Sequence, residues 1–326
     1  MGMKKTLISG VKPTGRPHIG NYFGAMKQFV DLQNDYNAHI FIADLHALTS
    51  VSDATQMKQD IVDLALDYLA IGLDPQKMVL FKQSDIPEVT ELAWVFSCLT
   101  TMPYLMRAHA FKDAEAKNKE VNVGLFNYPI LMAADILLPG AEIVPVGKDQ
   151  KQHVEIARDI AEKFNRVFGE TFKLPEAKII EALATVPGTD GQKMSKSYKN
   201  TIPLFASDAE IKAAVMKIPT DSSGVNDPKN PDTSILFQIH SLVLNEEQKK
   251  TVRAQFEQGG IGYKDLKENC IRDISAFIAP IRERREKLAA DPGNVLKILK
   301  EGGEKIRAVI TPKINEIRQK IGVKLY

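Results

Sequence analysis

The chain has little sulfur chemistry to offer. Of its 326 residues only two are cysteines, Cys98 and Cys270, far apart, with hydrophobic neighbours and no CxxC spacing. That excludes a disulfide framework or thiolate metal site, predicts two inert buried thiols and fits a reducing cytoplasm. Long apolar runs are missing as well. No stretch of about 18 apolar residues occurs, and the opening MGMKKTLISG has no continued apolar segment, so neither a membrane span nor a secretory leader is expected. Charge of one sign is scarce: 43 basic side chains face 41 acidic ones, for a net +2. The halves differ slightly, with residues 1–200 at −2 and 201–326 at +4. A basic excess that small is compatible with a nucleic-acid partner without establishing one. No repeat, no low-complexity tract, no GxxxxGK[ST] and no GxGxxG is present, so a P-loop and a dehydrogenase fingerprint are both excluded.

What is present is an ordinary folding composition, 44% hydrophobic, on a chain long enough for two domains. TLISG, AHIFIADLHALT, MVLFKQSD and EIVPVGKDQ read as four strands, separated by helical patterns such as NYFGAMKQFVDLQ and MKQDIVDLALDYLAIG. That alternation predicts a parallel α/β sheet whose ligands gather beyond the carboxyl ends of the strands. A helical insertion interrupts it at about 88–138. After residue 200 the strand signal fades into amphipathic helices with Gly- or Pro-bearing joints, placing a domain boundary near 200.

Two loops carry the chemistry. In VKPTGRPHIGN, Pro13 stiffens a turn, Gly15 and Gly20 clear room, and His18 and Asn21 share a face at a helix start, where phosphate is favoured. Its bland alternative is a strand-to-helix turn with a capping histidine. GQKMSKS sets Lys193 and Lys196 three residues apart; alone these are surface lysines, but beside the first loop they form a positive well for a polyphosphate. A third feature is Asp135, in the apolar LMAADILL. A carboxylate there is costly unless paired or functional.

PHIGN (17–21) resembles the first signature of the class I aminoacyl-tRNA synthetases, and KMSKS (193–197) matches their second. YPILMAADILL and VGKDQKQHVEIARDIAEKFN resemble the tryptophan-specific branch, and the similarity spans nearly the whole chain. The resemblance implies a Rossmann-like parallel-sheet catalytic domain (1–200) with the helical insertion as dimer interface, and a helical domain (201–326) that recognises the tRNA anticodon. It implies condensation of an amino acid with ATP to an aminoacyl-adenylate, then transfer to tRNA(Trp), in a cytoplasmic homodimer.

By the same resemblance ATP lies against Pro13, Thr14, Gly20 and Asn21, with His18 near the phosphates and Gly147, Lys148 and Asp149 near the nucleotide. Asp149 would accept from the ribose. Lys193 and Lys196 become catalytic phosphate ligands within a loop completed by Met194, Ser195 and Ser197, Met194 anchoring it in the closed form, and Val186 offers backbone to adenine. Lys12 stands where many relatives carry glutamine, and either adds charge near the phosphates or projects into solvent. Mg²⁺ would be held mainly by the phosphates, with no structural metal in the protein. For tryptophan, Asp135 accepts the indole N–H, Met132 packs the ring, Tyr128 and Gln150 serve the ammonium and carboxylate end, and His46 lines the pocket. His153 takes a supporting or packing role, His39, His109 and His240 structural ones, and Trp94 belongs to the core or an interface. RERREK (282–287) reads as a salt-bridged surface helix or a tRNA contact. Tyrosine activation, and an RNA-binding or regulatory protein with a synthetase-like shell, are the alternatives.

Overall fold

The computed structural model describes residues 4–108, 122–147, 150–179 and 186–326. Strands β1 (Thr6–Val11), β2 (Asn37–Ile42), β3 (Val79–Lys82), β4 (Ile143–Val146) and β5 (Glu176–Ile179) form one sheet in the order β3-β2-β1-β4-β5. Every pairing is parallel. Four of these strands match the sequence reading. β5 was not anticipated, because EAKI is four residues long and carries charge at alternate positions.

Strand alternation divides the interior into two cores. Leu7, Ile40, Leu80 and Ile143 face one, while their neighbours Ile8, Phe41, Phe81 and Val144 face the other. A parallel sheet needs both faces covered, and the intervening helices do this. On the first face lie α1 (Ile19–Asn21), which passes through one π turn into α2 (Lys27–Leu32), and α4 (Ala54–Ala70), while the short α3 (Asp44–Ala47) follows the end of β2. Toward the second lie α5 (Glu88–Leu99), α6 (Met102–Leu105), α7 (Val123–Leu137) and α8 (Lys151–Phe168). Buried positions of α8 recur at helical spacing, from Val154 and Ala157 to Ile160, Ala161 and Phe164.

Among the described residues after 200, every named element is helical: α9 (Asp208–Met216), α10 (Ile235–Ser241), α11 (Glu246–Gln258), α12 (Tyr263–Ala289) and α13 (Pro292–Lys320). α9 and α11 each begin on a reciprocal capping box, Ser207 with Glu210 and Asn245 with Gln248. α13 runs unbroken through Gly302, Gly303 and Pro312, where the sequence suggested a joint. Packing explains the glycines. A Cβ on Gly302 would fall 1.8 Å from the Leu80 carbonyl oxygen, so only a hydrogen fits between this helix and β3. Val295 and Leu299 enter the first core, and Ile306, Ile310, Ile314 and Ile317 the second. The last helix thus clasps the β3 edge of the sheet and closes an edge that would otherwise be open to pairing. Among the described residues no helix is long and apolar enough to cross a membrane.

Candidate active site

The strand order reverses between β1 and β4, and a cavity of about 290 Å³ opens there. β1 supplies Ile8 to Val11, β4 supplies Val144 to Val146, and Phe29 and Phe41 add apolar wall. At its floor lies Asp135 on α7, 4% exposed. The Gln83 side-chain amide donates to both carboxylate oxygens at 2.9 Å, and His46 Nε2 bonds Oδ2 at 2.8 Å. The backbone N–H of His46 in turn donates to Gln83 Oε1 at 3.3 Å. Burial pushes the Asp135 carboxyl upward, while bonds from His46 and Gln83 act in the opposite direction. Gln83 escaped the sequence reading. Its signal was a lone amide at the polar tip of MVLFKQSD, and it is 1% exposed.

Two turns back along α7, Tyr128 OH meets His153 Nε2 at 2.7 Å, and His153 Nδ1 meets Gln150 Oε1 at 2.8 Å. One imidazole therefore fixes both polar side chains assigned to the amino-acid end. Met132 sits between Tyr128 and Asp135 on the cavity wall. Gly147 and Lys12, both assigned to ATP from sequence, line this same cavity. Lys148, Asp149 and His109 lie outside the described residues.

The two signature loops meet beside it. His18 Nδ1 accepts from the Asn21 N–H at 3.2 Å, and Asn21 Oδ1 accepts from the His18 N–H at 3.0 Å, a capping box that accounts for this pair of residue types. Burial, with a smaller contribution from Lys196, depresses His18 to about 4, so the imidazole is neutral at physiological pH. A Cβ on Gly20 would lie 2.9 Å from His18 Nδ1 and 3.2 Å from the Met194 sulfur. Glycine here lets the second loop seat under the first. Met194 is buried, and its N–H donates to the Val186 carbonyl at 2.9 Å. Lys196 Nζ reaches the Thr14 and Gly15 carbonyls at 2.8 and 2.9 Å. Lys193 is exposed, its backbone bridged to Pro187, and Ser197 is exposed in the next turn; Pro13 is buried below Thr14. Asn200, also missed from sequence, binds the Ser195 N–H at 2.8 Å, the Lys193 carbonyl at 3.2 Å and Asp190 at 2.7 Å. It is 2% exposed and staples the loop from behind.

Outside the pocket one expectation fails and others hold or narrow. Cys98 is exposed, not buried, because Leu92 and Phe96 set the inward face of α5 and Cys98 falls on the other; Cys270 is buried, its thiol pushed well up by burial. Trp94 is 72% exposed and so lies outside the core. The arginines of RERREK hold helices together: Arg285 spans Asp63 and Asp67 of α4 at 2.6 and 2.5 Å, Arg284 donates to the Ala70 carbonyl, and Arg282 to that of Ala206. His240 pairs with Asp273 at 2.8 Å, and His39 is buried in β2. Among the described residues no three His, Cys, Asp or Glu side chains converge as a metal site.

Comparison with known proteins identifies the family. Residues 3–279 match the class I tRNA synthetases for tryptophan and tyrosine. A tryptophan-tRNA ligase of Rhodopirellula baltica is 48% identical, covering 98% of this chain and 99% of that one. One from Fusobacterium nucleatum is 48% identical over 98% of each. The crystal structure of Campylobacter jejuni tryptophanyl-tRNA synthetase complexed with ADP and tryptophan superposes with a TM-score of 0.92 at 46% identity, covering 97% of this chain and 99% of that one.

Proposed function

This chain belongs to the class I tRNA synthetases for tryptophan and tyrosine, and we propose that it joins L-tryptophan to tRNA(Trp) at the expense of ATP, on the residues described above. The observation that carries the choice of amino acid is the buried Asp135 at the end of an apolar cavity. A carboxylate has about four lone-pair directions, and Gln83 and His46 use three. The fourth takes the indole N–H. Phenylalanine offers nothing to that acceptor and is rejected.

The reacting carboxylate is ionised at neutral pH, so activation needs no general base. It needs in-line placement against the α-phosphorus and compensation for charge gathering on the leaving pyrophosphate. Lys193 and Lys196 supply the compensation, with Lys196 exchanging the Thr14 and Gly15 carbonyls for phosphate oxygens as the loop closes over ATP. Met194 keeps the loop anchored meanwhile. His18, neutral and fixed by Asn21, donates toward the phosphates. Backbone at Gly20 and Val186, with Pro13, Thr14, Ser195, Ser197, Lys148 and Asp149, completes the nucleotide contacts. Magnesium arrives as MgATP, bound chiefly by the phosphates.

Two copies pairing through the insertion would cover the exposed Trp94, Met102, Met106 and Val123, which supports a homodimer. Residues 201–326, with their basic excess, would read the tRNA anticodon while α13 also braces the sheet. The setting is cytoplasmic. Amino-acid-dependent exchange of labelled pyrophosphate into ATP tests the reading. Exchange with tryptophan and not with tyrosine or phenylalanine supports it; exchange with tyrosine alone, or with none, overturns it.

A further inference from the structure

Lys12 follows the last residue of β1 and emerges at the strand-order reversal, on the wall of the amino-acid cavity beside Tyr128, Gly147 and Gln150. It is half-buried, and burial lowers its ammonium from the ordinary lysine range. Its polar neighbour is uncharged: Nζ meets Thr49 Oγ1 at 3.3 Å and otherwise hangs 5.8 Å from the centre of the Tyr128 ring. Among the described residues no carboxylate lies within ion-pair distance of it. A cation desolvated at the lip of a substrate cavity, without a counter-ion among the described residues, is arranged for an anion that arrives with the ligand.

The cavity itself says which end of the ligand that is. Asp135 and Tyr128 are seven residues apart on α7, on the order of 10 Å along its axis, with Met132 between them. An amino acid lying along this helix with its indole N–H on Asp135 brings its α-carbon groups to the Tyr128 end. There the Tyr128 oxygen and Gln150, held by His153, present acceptors suited to the ammonium. The remaining charge, the carboxylate, needs a cation.

We propose that Lys12 binds the α-carboxylate of the amino-acid substrate and orients it for attack on the α-phosphorus, a contact that glutamine at this position could make only as a neutral donor. Lys12 holds one carboxylate oxygen. The other forms the bond to the α-phosphorus as the bond from that phosphorus to the bridging oxygen breaks, and pyrophosphate departs with the electron pair. The carboxylate loses its charge in the adenylate, so the ion pair is strongest before reaction. Removing it therefore acts on substrate binding more than on turnover.

The proposal rests on the tryptophan reading, and the wild-type exchange assay tests that reading separately; an enzyme found to prefer tyrosine would be examined with tyrosine and tyramine instead. With Lys12→Met, checked for unchanged thermal unfolding, the KM for tryptophan should rise at least tenfold, kcat should change less than threefold, and the KM for ATP should stay within threefold. Inhibition by tryptamine, which lacks the carboxylate, should not weaken. Lys12→Arg should recover most of the tryptophan affinity. An ATP KM that rises while tryptophan binding holds would assign Lys12 to the phosphates and overturn the proposal. Equal weakening of tryptophan and tryptamine, or no change in either, would overturn it as well.

Discussion

Asp135→Asn isolates the specificity contact. Alanine would be a poorer probe, because it strands the buried Gln83 amide and His46 imidazole, each costing about 1–3 kcal/mol when unpaired, and so confounds recognition with stability. Asparagine keeps the shape. Its oxygen can still accept from Gln83, and its amide can donate to His46 Nε2 once that imidazole changes tautomer. What it loses is the anionic acceptor left over for the indole. A hydrogen bond to a charged group is worth about 1.5–3 kcal/mol, which at about 1.4 kcal/mol per decade is roughly 10- to 150-fold in kcat/KM for tryptophan. Pyrophosphate exchange at saturating ATP, run with tryptophan and phenylalanine, reads both sides of the comparison. The tryptophan value should fall by that factor while the phenylalanine value moves less than threefold, so the preference collapses without loss of the ATP site. Retention of tryptophan activity within threefold would refute the assignment, and so would an equal fall in ATP affinity.

Lys196→Ala should slow adenylate formation by about 100-fold, near 3 kcal/mol, with tryptophan affinity almost unchanged; single-turnover kinetics would contradict the phosphate role if both fell together. Arg285→Ala strips the ion pairs from the buried Asp67 and should destabilise the fold by about 3 kcal/mol in denaturant titration, whereas a loss under 1 kcal/mol would make RERREK a mere surface run. His39 is held down near 4 by burial, with its Nδ1 unpartnered. The unfolded chain therefore takes up that proton first as pH drops. Stability from a neutral His39 is complete above about 6.5 and is lost as pH falls toward 4, at up to about 1.4 kcal/mol per pH unit. His39→Leu should flatten that slope in urea midpoints taken between pH 7 and 4; parallel curves for the two proteins would show that His39 is not its source.

The α/β class was legible because short apolar runs in TLISG and AHIFI give way to a helical period within a few residues, and both signals are local. β5 was hidden because its four residues owe their pairing to β4 rather than to their own pattern. The same division holds in the site. Residue types named Asp135, Lys193, Lys196 and His18, since a carboxylate in an apolar run and a lysine pair near a helix start are visible in one dimension. Their partners were not visible. Gln83 lies 52 positions from Asp135, Thr14 lies 182 from Lys196, and Asp67 lies 218 from Arg285. These pairings exist only once the sheet has brought the ends of β1, β2 and β3 to one edge and α12 onto α4.

Asn200 shows the cost of reading motifs without their supports. It stands three residues beyond KMSKS as an unremarkable polar residue, yet its buried side chain binds Asp190, Lys193 and Ser195. A loop asked to move its lysines onto a triphosphate needs a fixed point about which to move. Met194 under Gly20 fixes one side, and Asn200 behind Ser195 fixes the other. Between them only the Lys196 side chain is held by contacts that an arriving anion can replace, hydrogen bonds from its ammonium to two neutral carbonyls. Phosphate oxygens carry full charge and outbid them, so the closing step requires a change of partner at one ammonium group rather than the refolding of a loop.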